Sequence, residues 1–116
     1  QNAAGILECK KIAAIAEAHS IDVALHNPQS EVSTLASLHV DACTPNCVIQ
    51  EMVERREPWL KDLFYGGAVA IKDGYAELPN RPGLGVELNE KVAAEHPYRP
   101  VNRENWVWPD GSPADS

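Results

Sequence analysis

The sequence has few of the residues that define specialised protein classes. Its three cysteines, Cys9, Cys43 and Cys47, are an odd number without a C-x-x-C spacing. This pattern indicates neither a disulfide framework nor a zinc knuckle, and we expect reduced cysteines that serve as packing residues. Lysine and arginine total only 10 scattered residues against 17 acids, for a formal net charge of -7. That balance argues against nucleic acid or an anionic membrane as the main partner, since both require clustered bases.

Long hydrophobic runs are also missing. No apolar stretch approaches the roughly 18 to 20 residues that cross a bilayer, and the first residues, QNAAG, lack the form of a signal peptide. We therefore expect a cytoplasmic setting without a membrane partner. A content of 44% hydrophobic and 23% charged residues in 116 is typical of one ordinary globular domain. This length is too short for a complete barrel of about 250 residues.

The first half of the chain alternates between helical and strand-like patterns. Apolar residues recur at helical spacing twice, and each helical stretch is followed by a short apolar run. This order predicts parallel strands covered by helices, the α/β class. The predicted elements are a helix over residues 6–19, a strand over 21–25, a helix capped by Ser33 or Thr34 and reaching about Cys43, and a strand over 47–50.

The second half contains shorter elements separated by turn residues. An Asp-Gly pair between two strand-like runs indicates a hairpin, and an asparagine before a helical run is a favourable N-cap. The predicted elements are a short helix over residues 58–64 closed by Gly66-Gly67, a hairpin of residues 68–71 and 75–78 around Asp73-Gly74, a loop over 79–85, and a helix over 90–95 capped by Asn89.

Ionisable side chains directly follow both predicted strands of the first half. His26 and Glu51 lie 25 positions apart, the length of one loop, one helix and one strand. Since the carboxyl ends of neighbouring parallel strands meet at one rim, we expect the two side chains to share a crevice. There, histidine can act as a general base, and glutamate can share a proton with an anionic intermediate if its pKa is raised.

A structural interpretation of the same residues stays open. From periodicity alone the favoured interpretation is that His26 is a partly buried, hydrogen-bonded histidine and Glu51 an exposed carboxylate at the end of a strand. The amide of Asn27 is placed to touch a substrate, although turn formation before Pro28 accounts for it nearly as well.

Several short motifs, in a fixed order, extend over nearly the whole chain. They include Gly5-Ile6-Leu7-Glu8, Leu25-His26-Asn27-Pro28, residues 33–39 (STLASLH), Ile49-Gln50-Glu51, residues 82–88 (PGLGVEL) and Asp110-Gly111-Ser112. Together they resemble the carboxyl-terminal part of the enolase superfamily, within the mandelate racemase and muconate lactonizing enzyme group. Within that group the resemblance is strongest to acid-sugar dehydratases such as D-galactonate dehydratase.

The resemblance implies a fold and a set of roles. Residues 1–66 would be the last two strands, with their helices, of a (β/α) TIM-type barrel that is incomplete in this chain. Residues 67–116 would form a closing segment that packs back on a capping domain. His26 would exchange a proton with the carbon beside the substrate carboxylate, and Glu51 would hydrogen-bond the enediolate oxygen. The longer enzyme would be a Mg²⁺-dependent, homo-oligomeric dehydratase of a sugar acid.

The sequence departs from the family pattern in what it lacks. The three carboxylate ligands of Mg²⁺ and the acid that pairs with the catalytic histidine would precede Gln1. Neither Asp22 nor Asp41 follows a predicted strand, so we predict no metal ligand here and expect the isolated chain to be inactive. The alternatives are a racemase or cycloisomerase of the same superfamily, a non-catalytic remnant or interaction module, and a self-contained α/β binding domain.

Overall fold

The computed structural model describes residues 5–28, 30–53, 57–65, 69–100 and 107–112. None of the helices in these ranges is long and apolar enough to cross a membrane. In chain order the elements are α1 (Ile6–Ala18), α2 (Glu31–Asp41), a 3-10 helix (Pro58–Asp62), β1 (Phe64–Tyr65), β2 (Ile71–Lys72), β3 (Tyr75–Ala76), β4 (Glu87–Leu88) and α3 (Glu90–Glu95).

Residues 21–25 and 47–50, which we call the bridge segments, meet side by side in the same direction. The N–H of Val23 donates to the carbonyl of Asn46 at 2.8 Å, and the N–H of Val48 donates to the carbonyl of Val23 at 3.1 Å. The predicted parallel pairing is confirmed, but the prediction of two regular strands is wrong, because only the single bridge Val23–Cys47 forms. Parallel ladders are stable when helices bury both of their faces, and here Ile49 remains 68% exposed.

The helices of the first half form as predicted, with shifted boundaries, and α2 ends at Asp41 rather than at about Cys43. Helix α1 ends one residue before the predicted end. Helix α2 is capped by Ser30, whose Oγ accepts the N–H of Ser33 at 3.3 Å, so the prediction that Ser33 or Thr34 provides the cap is wrong. Ser30 has the extended backbone that an N-cap needs, whereas Ser33 and Thr34 lie inside the first turns.

The hairpin of the second half is confirmed. Asp73 and Gly74 both have positive φ, 52° and 82°, as the two central residues of a type I′ turn require. Strands β2 and β3 pair Ile71 with Ala76 and Lys72 with Tyr75. The strands are two residues long, shorter than predicted, and Ala68 lies outside the described residues.

The predicted short helix before the hairpin is partly wrong. It is a 3-10 helix that ends at Asp62, and Phe64 instead begins β1, which pairs antiparallel with β4. The N–H of Asn89 donates to the carbonyl of Leu63 at 2.8 Å and extends this contact. The glycines 66 and 67, predicted to close the helix, lie outside the described residues. Helix α3 and its Asn89 cap are as predicted.

The interior formed by the described residues is small. Its buried apolar side chains are Ala13, Leu35, Leu38, Val40 and Phe64. Large apolar side chains of α1 stay exposed, among them Leu7, Ile12 and Ile15. The radius of gyration is 17.1 Å, where a compact chain of this length would have about 13 Å. The fold therefore leaves apolar surface uncovered.

Two polar side chains connect α1 to the rest of the first half. The amide nitrogen of Asn46 donates to the carbonyls of Ala13 at 3.1 Å and Ile21 at 2.9 Å, and so joins α1 to both bridge segments. Lys10 donates to the carbonyl of Cys43 and, at 3.2 Å, to the hydroxyl of Thr44. A cation there also complements the negative end of the α2 dipole.

We expect Asn46→Ala to destabilise the chain, because two carbonyls lose their donor. The free energy of unfolding should fall by about 1 to 3 kcal/mol, measured by urea denaturation followed by circular dichroism. The matched control is Asn80→Ala, an exposed asparagine whose side chain makes no hydrogen bond in the described part of the chain. Equal unfolding midpoints for the two variants would contradict the role of Asn46 in joining α1 to the bridge segments.

Candidate active site

The bridge segments carry His26, Asn27 and Glu51 to one rim. His26 follows the first segment and Glu51 follows the second, on the carboxyl side of the parallel Val23–Cys47 pair. Since the two segments run in the same direction, their ends lie side by side. His26 Nδ1 and Glu51 Oε2 are 2.8 Å apart, so the predicted proximity of the two side chains is observed.

The hydrogen bond to Glu51 determines which nitrogen of His26 is available for chemistry. With Nδ1 facing a carboxylate, the neutral ring carries its proton on Nδ1 and keeps a lone pair on Nε2. No described residue hydrogen-bonds Nε2, and the His26 side chain is 74% exposed. The arrangement can therefore accept a proton at Nε2 while the carboxylate stabilises the imidazolium that forms.

Glu51 is held in its ionised form. Its Oε2 also accepts the backbone N–H of Asn27 at 2.8 Å. This N–H is the largest cause that lowers the pKa of Glu51 below its ordinary value, and the hydrogen bond and charge of His26 lower it further. The direction is opposite to the raised pKa that sharing a proton with an intermediate requires.

Asn27 lies beneath this pair. Only 2% of the residue is exposed. Its amide nitrogen donates to Thr34 Oγ1 on α2 at 2.8 Å and to the carbonyl of Glu51 at 3.2 Å. That Asn27 touches a substrate stays a prediction. Thr34 was not identified from the sequence as part of the site, and the available signal was a hydroxyl on the buried face of the helix that follows the His-Asn pair.

A groove of about 510 Å³ lies between α1 and α2 beside the rim. Its walls are mostly apolar and include Ile6, Cys9, Leu25, Ala36 and Val40, together with His26. The His26 ring therefore borders a concave surface as well as solvent.

The described residues do not fit a Mg²⁺ site. Magnesium prefers about six oxygen ligands in octahedral geometry, usually including one or two carboxylates. No group of three or more His, Cys, Asp or Glu in the described ranges is placed to hold a metal. Glu51 is the carboxylate of the rim, and its Oε2 already accepts from His26 and Asn27.

A second polar cluster joins the end of α2 to the second bridge segment. The Cys47 thiol donates to Asp41 Oδ1 at 3.1 Å. Burial raises the pKa of Asp41, and burial together with Asp41 raises the pKa of Cys47 to about 11. Cys43 instead donates to the carbonyls of His39 and Val40, and all three cysteines are free. The Cys47 thiol stays protonated at neutral pH, as expected for a packing residue rather than a nucleophile.

We expect Cys47 to react slowly with iodoacetamide at pH 8, because the thiolate is the reactive species. Exposed Cys43 should be labelled first, as followed by mass spectrometry of the peptides. Asp41→Asn removes the neighbouring negative charge and should accelerate labelling of Cys47. Equal labelling rates of Cys43 and Cys47 in the native chain would show that the Cys47 thiol is not held protonated.

A pH titration followed by the side-chain carboxyl ¹³C signal should give Glu51 a pKa below its ordinary value. Because the folded-state pKa is lowered, Glu51 stabilises the fold above its unfolded pKa, and this contribution is lost as pH falls through the folded value. His26→Asn should raise the pKa only in part, since the Asn27 N–H remains.

Asp110 provides the control for this titration. Its pKa is lowered by the hydroxyl and N–H of Ser112, and the His26 replacement should leave it unchanged. A Glu51 signal that titrates identically with and without His26 would contradict the coupling.

The fold has counterparts among solved structures. A mandelate racemase/muconate lactonizing enzyme from Jannaschia sp. CCS1 matches 84% of this chain, with a TM-score of 0.74 and 33% identity, over 25% of that chain. An enolase from Pantoea ananatis, with bound D-gluconate and Mg, matches 84% of this chain with a TM-score of 0.76 and 35% identity, over 24% of that chain. In both cases this chain resembles about a quarter of the solved structure.

The family itself follows from the sequence. The enolase C-terminal domain-like family matches residues 1–92, and the chain belongs to it. The D-galactonate dehydratase of Pectobacterium atrosepticum is 36% identical over 121 residues, which is 98% of this chain and 32% of the relative. The resemblance inferred from the motifs is thus confirmed, and the chain spans about a third of that relative's length.

Proposed function

We propose that this chain is the carboxyl-terminal part of an acid-sugar dehydratase, with His26 and Glu51 in its active site. The observation that carries the proposal is the 2.8 Å contact between these side chains at the carboxyl ends of two parallel segments. The dehydratase relative and the neighbour with bound D-gluconate favour a sugar acid as substrate.

The proposed architecture is the end of a (β/α) barrel followed by a closing segment. Residues 1–66 would contribute two strands and their helices, and residues 67–116 would return to a capping domain in a homo-oligomeric enzyme. The uncovered apolar surface of α1 and the single parallel bridge are what such a part should present without its neighbours.

His26 would be the base in the proposed reaction. Its Nε2 takes the proton from the carbon next to the substrate carboxylate, and the electron pair of that C–H bond moves into an enediolate. The enediolate would then return to a carboxylate as its electron pair forms a double bond to the neighbouring carbon. The hydroxyl on that carbon would take a proton from a second acid outside the described residues and leave as water. Before substrate binds, Glu51 accepts from Nδ1 and so leaves the lone pair of the neutral ring on Nε2.

Glu51 would also hydrogen-bond the enediolate oxygen, which requires a proton on its carboxyl group. In the chain alone the Glu51 pKa is lowered. An anionic substrate and the exclusion of water both raise the pKa of a neighbouring carboxyl group. We therefore expect Glu51 to gain its proton only with substrate bound. The Pantoea ananatis neighbour binds Mg. A Mg²⁺ ion bound in the same way here would need ligands outside the described residues of this chain.

A non-catalytic role is the second candidate. It is favoured by the finding that the described ranges contain no group placed to hold a metal. A racemase or cycloisomerase would share the proton abstraction and differ in whether a hydroxyl group leaves. These possibilities separate in one assay that follows both α-proton exchange and release of the dehydrated product.

The test uses D-gluconate and D-galactonate with Mg²⁺ in deuterated water, followed by proton NMR, on the longer protein that we propose contains this chain. His26→Asn should reduce exchange and dehydration by roughly 10² to 10⁴-fold, the usual effect of losing a general base. The matched control is His19→Asn, an exposed histidine that follows α1 and precedes the first bridge segment. Its turnover should equal that of the unmodified protein.

Three outcomes of this assay are informative. Unchanged turnover in His26→Asn would refute the catalytic assignment. Exchange without dehydration would favour a racemase. We expect no turnover by the 116-residue chain alone, and turnover by it would overturn the proposal that it is part of a larger active site.

A further inference from the structure

Asn27 forms hydrogen bonds with both the side chain and the backbone of Glu51. Its backbone N–H donates to the carboxylate at 2.8 Å, and its side-chain amide donates to the carbonyl of Glu51 at 3.2 Å. The same amide donates to Thr34 Oγ1 at 2.8 Å, and the Thr34 hydroxyl donates to the carbonyl of Ser30 at 3.2 Å. A continuous series of hydrogen bonds therefore connects the first turn of α2 to Glu51.

We propose that Asn27, anchored by Thr34, is a positioning residue that fixes Glu51 against His26 and does not contact the substrate. Its catalytic consequence rests on the proposed function, whereas the positioning itself does not.

Burial and bonding both favour this role over substrate contact. Asn27 is almost completely buried, and its amide nitrogen is engaged by Thr34 and Glu51. Its Oδ1 is buried without a partner in the described part of the chain. An unpaired buried carbonyl costs free energy. The hydrogen bonds of the amide nitrogen to Thr34 and Glu51 are therefore the polar contacts that hold the side chain in place. An aspartate there would lose the donor and add a negative charge next to Glu51.

The role is also distinct from turn formation. A residue that only forms the turn before Pro28 needs no hydroxyl at position 34. Thr34→Val does not alter Asn27, Pro28 or the two rim side chains, and it removes the hydroxyl that accepts from Asn27 and donates to the carbonyl of Ser30. Thr34 is therefore the position at which the two explanations give different results.

The experiment compares Thr34→Val, Thr34→Ser and Thr44→Val. Valine preserves the shape of threonine and removes the hydroxyl, whereas serine keeps the hydroxyl. Thr44 is the matched control, because it is equally buried and its hydroxyl bonds Val40 and Lys10 rather than the rim. The measurement is the titration of the Glu51 carboxyl group by ¹³C NMR. In the described ranges, the titratable side chain that contacts Glu51 is His26.

We expect Thr34→Val to raise the pKa of Glu51, because the Asn27 N–H is then held less closely to the carboxylate. Thr34→Ser and Thr44→Val should leave it unchanged. A folded Thr34→Val variant with the unmodified titration curve would overturn the inference. If that variant does not fold, Asn27→Ala gives the same comparison with the backbone N–H retained.

A measurement on the unmodified chain covers the case in which neither variant folds. The backbone amide shift of Asn27 should follow the titration of Glu51, and its side-chain NH₂ should exchange slowly with solvent. Rapid exchange of that NH₂ would overturn the anchored position.

Turnover of the longer protein separates positioning from substrate contact. Thr34→Val should lower kcat by up to about a hundredfold, the effect of a small misplacement of a catalytic group, with KM nearly unchanged. A raised KM with unchanged kcat would overturn the inference in favour of a substrate contact. If the unmodified protein has no turnover on sugar acids, the proposed function fails, and the Glu51 titration still decides whether Asn27 positions the carboxylate.

Discussion

The parallel contact between Val23 and Cys47 is the constraint on which the candidate site depends. It makes the two bridge segments run in one direction and sets their register. A shift of one residue would turn the side chains that follow each segment to the opposite face. The distance between the imidazole and the carboxylate is thus a result of backbone pairing. Asn46 supports that pairing, because its carbonyl accepts from Val23 while its side chain joins α1.

The charge state of Glu51 depends on whether the rim is open to solvent or enclosed around a bound anion. In the described chain, a backbone N–H and a histidine stabilise the charged form of Glu51. Such a carboxylate is suited to stabilise an imidazolium and is a poor proton donor. A change of surroundings is needed before it can donate, and binding of an anion next to it provides one. The site therefore has its geometry in this chain but not the electrostatics of the proposed complex.

The features that could be predicted from the sequence are those determined by neighbouring residues. The Asp73-Gly74 turn and the Asn89 cap depend on backbone preferences within a few positions, and both agree with the structure. The cap of α2 was misplaced because three hydroxyl residues, Ser30, Ser33 and Thr34, compete within five positions, and only the backbone distinguishes them.

Features that depend on distant contacts were predicted less completely. The His26–Glu51 proximity could be predicted because parallel strands have a general rule for their ends. The length of the strands could not, since a ladder forms only where neighbours cover it. The Asn27–Thr34 contact was not identified, because a threonine inside a helix gives no signal of the side chain it faces.

The uncovered apolar side chains of α1 have a consequence for how the chain behaves at high concentration. The exposed side chains of Leu7, Ile12 and Ile15 form apolar surface on one helix that other molecules can contact. The net charge of -7 opposes such encounters through mutual repulsion. Added salt screens that repulsion and does not reduce the exposed apolar surface of α1. Colloidal stability of this chain thus rests on its acidic surface rather than on a closed interior.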